Sequence, residues 1–148
     1  METFIKVVPL MLSLSTIIII VRQRSFERNK LREEKRERIF DSLQDFLSSI
    51  VISGPTKIDM SKVSEYMQSI CRASFYFDKP TVDYLKSISE AALYIYPLWE
   101  KLYPSNSVGG LPVGLERSKI SEDISEKYLW IVNQRDISLK VFEKYFKF

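Results

Sequence analysis

The chain has 148 residues, a formal net charge of +3, a single cysteine and no histidine. These counts exclude Ser-His-Asp and Cys-His nucleophiles, His-ligated zinc, an imidazole acid or base, and an intramolecular disulfide framework. With 45% hydrophobic and 13% aromatic residues against 4 Gly and 6 Pro, the composition argues for a helix-rich globular chain in a reducing compartment and against a disordered tail or a β-sandwich. It is read as non-enzymatic, with no cofactor and no metal.

From Val7 to Val21 the sequence VVPLMLSLSTIIIIV has no charge, and adding Phe4 and Ile5 extends the apolar stretch over residues 4–21 with only Lys6 interrupting. As a helix rising about 1.5 Å per residue it reaches roughly 27 Å, enough for a hydrocarbon core of about 30 Å when Lys6 snorkels outward. Pro9 falls in the first two turns, where it costs least, and Ser13, Ser15 and Thr16 can return their hydroxyls to backbone carbonyls. No small-residue cleavage site follows, because Ile17–Val21 runs directly into Arg22-Gln23-Arg24. Residues 1–21 are therefore expected to form an uncleaved transmembrane anchor.

Residues 22–38 hold eight basic side chains against four acidic ones, an excess of four, while 39–148 holds 13 basic and 14 acidic. This localised positive charge places the C-terminal domain in the cytoplasm and a very short N-terminus outside, in a plasma (bacterial inner) membrane. Without Gly or Pro, and with Glu33 to Arg36 and Glu34 to Arg38 at ion-pair spacings, the stretch reads as a helical stalk continuing from the anchor to about Ile52. Arg22, Arg24, Arg28, Lys30 and Arg32 are its candidate membrane-surface residues. Nucleic acid is not an expected partner, since aromatic interleaving is limited to Phe26.

Residues 39–148 read as a small cytoplasmic bundle of about four helices, so that the whole chain is all-α. Ile39, Leu43, Phe46, Leu47 and Ile50 form the first apolar face, which ends at Ser53-Gly54-Pro55. A second helix is predicted over about Asp59 to Phe75, with Met60, Val63, Met67, Ile70 and Cys71 on one buried stripe. Asp78 as N-cap and Pro80 in the first turn open a third helix to about Tyr103, with Pro97 predicting a kink near Leu93. Tyr94, Tyr96, Trp99 and Tyr103 are candidate partner-binding residues on it, against the plainer reading of core and rim packing.

Pro104 to Gly114 is the Gly/Pro-rich loop. Gly109 and Gly114 have P-loop spacing but are followed by Leu115 and Glu116, so the phosphate-binding lysine is missing. The last helix is predicted from about Ser118 to Phe146 with Ile120, Ile124, Tyr128, Ile131, Leu139, Phe142 and Phe146 in phase, and a bend at Asn133-Gln134-Arg135-Asp136. Glu122, Asp123 and Glu126 are read as complementing the helix dipole, not as cation ligands. Phe142, Tyr145, Phe146 and Phe148 are expected to dock the C-terminus into the core.

Two segments, Phe75-Tyr76-Phe77-Asp78 followed by Tyr84-Leu85, and Trp130 through Phe142-Glu-Lys-Tyr145-Phe-Lys-Phe148, resemble parts of uncharacterised bacterial single-span membrane-anchored helical proteins. In that group an F-L-F-D turn opens a helix and the chain ends near F-x-x-Y-L; here Tyr76 replaces the Leu. The resemblance implies a membrane anchor and a helical fold, and no activity. The expected function is a membrane-tethered interaction or scaffold module whose partners are the lipid bilayer and a protein, either another chain or a second copy. The alternative is a small membrane-active effector, such as a toxin or phage-defence component, with Ser13, Ser15 and Thr16 supporting association of the span.

Overall fold

The computed structural model describes the backbone of residues 2–54, 58–104 and 109–146, and the side chains within those ranges from residue 16 onward. Four α-helices make up the fold: α1 Glu2–Ser53, α2 Met60–Ile70, α3 Lys79–Leu102 and α4 Leu115–Phe142, with a 3-10 turn at Ala73–Phe75 and no strand among the described residues. The chain divides into two compact units, Met1–Lys35 and Arg36–Phe148.

In the first unit, every side chain from Thr16 to Glu34 is exposed. Ile17, Ile18, Ile19, Ile20 and Val21 are 44% to 58% exposed, so this apolar turn and a half shows exposed side chain on each of its faces. Arg28 donates from Nε to the Arg24 carbonyl at 3.2 Å. Among the described residues, no helix is long and apolar enough to cross a membrane. Of the span expected over residues 4–21, the side chains of Phe4 to Ser15, including Lys6, lie outside the described residues, and only Thr16 to Val21 belong to them.

The second unit is the helical bundle. On α1, the buried residues are the expected Ile39, Leu43, Phe46, Leu47 and Ile50. Steps of three and four keep them on one side of a helix, which is why this stripe is legible without neighbours. Gly54 closes the helix at φ 68°, in the left-handed region a Cβ disfavours. Pro55, expected to stop the helix, lies outside the described residues.

On α2, Asp59 caps the N-terminus by accepting from the Ser61 amide at 2.9 Å. The buried residues are Val63, Tyr66 and Ile70, with Met67 and Cys71 exposed, so the expected stripe is corrected by about one position. Two causes act together. The helix ends at Ile70, leaving Cys71 in a turn before the 3-10 segment, and Tyr66 offers the core a larger apolar surface than Met67 with a satisfied polar end. Its ring stacks on Phe46 at 4.6 Å between centroids and 2° between planes, and its hydroxyl donates to the Leu85 carbonyl at 2.9 Å.

α3 begins as the sequence predicts, with Asp78 as N-cap accepting from the Thr81 amide and Pro80 in the first turn. It runs through Pro97 as one helix and buries Val82, Leu85, Ile88, Ala92, Ile95 and Leu102, along with Thr81 and Ser89. Gly110 then approaches the Leu102 carbonyl so closely that a Cβ would collide with it.

α4 is also one continuous helix, which runs from Leu115 to Phe142 through the polar stretch Asn133–Asp136. Gln134 is buried because its side-chain amide donates to the Trp130 carbonyl at 2.9 Å, while its own backbone carbonyl accepts from Tyr84 Oη at 3.2 Å. Ser138 is buried too, accepting from Gln44 Nε2 at 2.8 Å. Satisfied in this way, polar groups need not break a helix. The in-phase residues Ile124, Ile131 and Phe142 are buried as expected, whereas Leu139 is exposed.

Candidate functional site

The five basic residues singled out on the stalk, Arg22, Arg24, Arg28, Lys30 and Arg32, are all exposed in the first unit. Their heads stand in solvent, the arrangement required of groups that meet anionic head groups and equally of groups that keep a stalk solvated.

The four aromatic candidates on α3 do not form one platform. A helix turns about 100° per residue, so Tyr96, Trp99 and Tyr103 share a side while Tyr94, two positions before Tyr96, faces nearly opposite. Trp99 and Tyr103 touch at 4.3 Å between ring centroids, tilted by 33°. Arg117 sits 5.1 Å from the Tyr103 centroid and donates to the Leu111 carbonyl at 2.7 Å, fastening the loop before α4 to the end of α3. Tyr94 donates to Asp123 Oδ2 at 2.6 Å, with Lys127 at 5.9 Å from its ring. That hydrogen bond to a carboxylate raises the Tyr94 phenol above its ordinary range. Two of the four aromatics are thus engaged with α4 or with the loop leading into it, and Tyr96 is an exposed ring on the α3 surface.

A clasp that periodicity alone does not announce ties the α3 N-terminus to the C-terminal segment. Asp78 accepts from Tyr145 Oη at 2.7 Å and from Lys144 Nζ at 2.6 Å, and its own amide donates back to Tyr145 Oη at 3.1 Å. Arg36 donates from Nε to the Tyr76 carbonyl at 2.9 Å and lays its guanidinium 4.8 Å from the Tyr145 centroid and 5.9 Å from that of Phe77. Phe77 meets Phe142 and Tyr145 edge-on, at 5.2 and 4.9 Å. The terminal aromatics therefore pack as expected through Phe146, which lies 5.4 Å from Phe40; Phe148 lies outside the described residues. The Lys144, Thr81 and Tyr145 donors hold the Asp78 carboxyl well below the usual carboxylate range.

Among the open grooves formed by the described residues, two are the larger. One, about 410 Å³, runs between α1 and α2 and mixes Asp41, Asp45 and Glu65 with Arg38 and Lys62. The other, about 360 Å³, lies between α2 and α3 and is lined by Met67, Cys71, Val82, Lys86 and Leu93. Among the described residues no buried side-chain nitrogen or oxygen lacks a hydrogen bond, and no group of three or more Cys, Asp or Glu could hold a metal ion. Neither groove therefore aims an orphaned polar group at a ligand.

The outer face of α4 is the surface that sequence periodicity missed. Leu129, Trp130 and Ile137 are 59%, 38% and 41% exposed, on the side away from buried Ile124, Ile131 and Phe142. The signal was present as apolar residues falling outside the 3.6-residue phase of the buried stripe. No protein-family model matches the chain, nor does any curated protein or any solved structure.

Proposed function

We propose that this protein is a non-enzymatic, membrane-tethered interaction module, held by a single span over residues 4–21 with its helical domain on the cytoplasmic face. The observation that carries the reading is the exposure of Ile17 to Val21 on all sides of α1, immediately before the basic side chains that begin at Arg22. Five consecutive β-branched residues exposed to water forfeit a burial free energy of roughly 25 cal/mol per Å² of apolar surface, which lipid would supply. The adjacent cations set the direction of insertion by their preference for the cytoplasmic side. The bundle from Arg36 onward brings its own core, so tethering it concentrates its outer surfaces at the membrane for a partner in the same plane. The resemblance to single-span membrane-anchored helical proteins, carried by the Phe75–Asp78 turn and the C-terminal segment, points the same way.

The test is fractionation of cells expressing the full chain, with alkaline carbonate extraction and protease digestion of sealed inverted vesicles. Retention in the carbonate pellet, loss of retention when residues 1–21 are deleted, and digestion of the domain only where the cytoplasmic face is accessible are expected. A full-length chain recovered in the soluble fraction would sink the anchor.

A further inference from the structure

The outer face of α4 carries a pattern that its own fold does not use. Glu126, Trp130, Asn133, Ile137 and Lys140 are all exposed and follow one another in steps of four, three, four and three. That alternation averages 3.5 residues and keeps a seam on one side of a helix, as in helices that pack lengthwise against another helix. Leu129 widens the apolar middle, and Trp130 is the kind of large amphipathic side chain that anchors interfaces. Neither Glu126 nor Lys140 takes part in an ion pair of the described residues.

The charges choose both the occupant and its direction. Glu126 and Lys140 lie equally far from Asn133, seven residues to either side, or about 10 Å along the axis. The seam is therefore acidic at its N-terminal end, apolar in the middle and basic at its C-terminal end. A second copy laid antiparallel, with the twofold axis at Asn133, sets Glu126 against Lys140 at both ends and Leu129 against Ile137 in the middle. The two Asn133 amides meet on the axis, where each can donate to the carbonyl of the other. A parallel copy would set Glu126 against Glu126 and Lys140 against Lys140, which like charges oppose. The geometry points to α4 as a homodimerisation helix, pairing antiparallel with α4 of a second copy through Trp130, Asn133 and Ile137. This names the partner within the interaction-module reading above and does not depend on the anchor. The seam is short, about 21 Å from Glu126 to Lys140, so the pair is weak and benefits from any confinement that raises local concentration.

The test is disulfide cross-linking of the full-length chain, in whichever cell fraction holds it, in a Cys71→Ser background that removes the native thiol. Asn133→Cys is expected to cross-link to itself. Co-expressed Glu126→Cys and Lys140→Cys are expected to cross-link to each other, while each alone gives several-fold less product. In the Asn133→Cys background, Glu126→Lys should reduce cross-linking several-fold and Glu126→Lys with Lys140→Glu should restore it, a rescue that damage to the fold would not produce. Strong self-linking of Glu126→Cys would overturn the antiparallel register, and no product at residue 133 would overturn the pairing itself. Neither result bears on the anchor, which fractionation tests separately.

Discussion

Tyr145 reaches back 67 residues to donate a 2.7 Å hydrogen bond to Oδ1 of Asp78, the residue that caps α3. The Phe75–Asp78 turn and the segment that follows α4 are thus the two halves of one clasp. Arg36 closes it from α1 by covering the rings of Phe77 and Tyr145. A single carboxylate thus caps α3 and holds the turn that follows α4.

Asp78→Asn should lower the melting temperature at pH 7, because the amide keeps some capping capacity but loses the charge that Lys144 meets. The pH dependence has a fixed sign. The carboxyl is held below its ordinary value in the fold, so its stabilisation is present above the unfolded-state value of about 4 and is lost as pH falls from there through the lower folded-state value. Thermal melts of the two proteins should differ at pH 7 and converge towards pH 2. A difference that persists unchanged in acid would show that the charge is not what the clasp uses.

Tyr66→Phe keeps the ring on Phe46 and removes only the hydroxyl that donates to Leu85. It should cost about 1 kcal/mol, the price of a buried hydrogen bond whose acceptor is left behind, whereas Tyr66→Ala should cost about 3 to 5 kcal/mol by opening a cavity. Burial also raises the Tyr66 phenol far above its ordinary value. Its contribution is therefore complete below about pH 10 and declines as alkali rises beyond the unfolded-state value, where the unfolded chain sheds the proton first. Urea melts give the two mutational costs. In an ultraviolet titration of the native protein, the Tyr66 step should appear only together with alkaline unfolding.

Neighbouring glycines in the loop before α4 should respond oppositely to the same change. Gly110→Ala drives a Cβ into the Leu102 carbonyl, which is backbone and cannot swing aside, and should cost about 1 to 3 kcal/mol as the loop shifts. Gly109→Ala meets nothing within 4 Å and should be neutral or slightly stabilising, by restricting the unfolded chain. Equal effects in denaturant melts would mean that the loop does not hold this close approach in solution.

Much of this molecule is legible locally. The α1 stripe, the cap at Asp78, Pro80 in the first turn of α3 and the glycine closing α1 all follow from short-range rules, because helix period and capping depend on residues within a turn or two of one another. The concentration of positive charge over residues 22–38 is likewise a property of the sequence alone. Which of several apolar residues goes inside depends on what the opposing element offers. Tyr66 outcompetes Met67 and Cys71 because Phe46 supplies a stacking face and Leu85 a carbonyl, and Gln134 and Ser138 enter the core because Trp130, Tyr84 and Gln44 satisfy them. The same choice leaves Leu129, Trp130 and Ile137 outside, and it brings Asp78 to Tyr145 across 67 residues. Local chemistry determined where α1 ends and where α3 begins, but not the ends of α2 and α4; burial, which is settled between elements distant in sequence, decided which faces the helices keep and which they leave open.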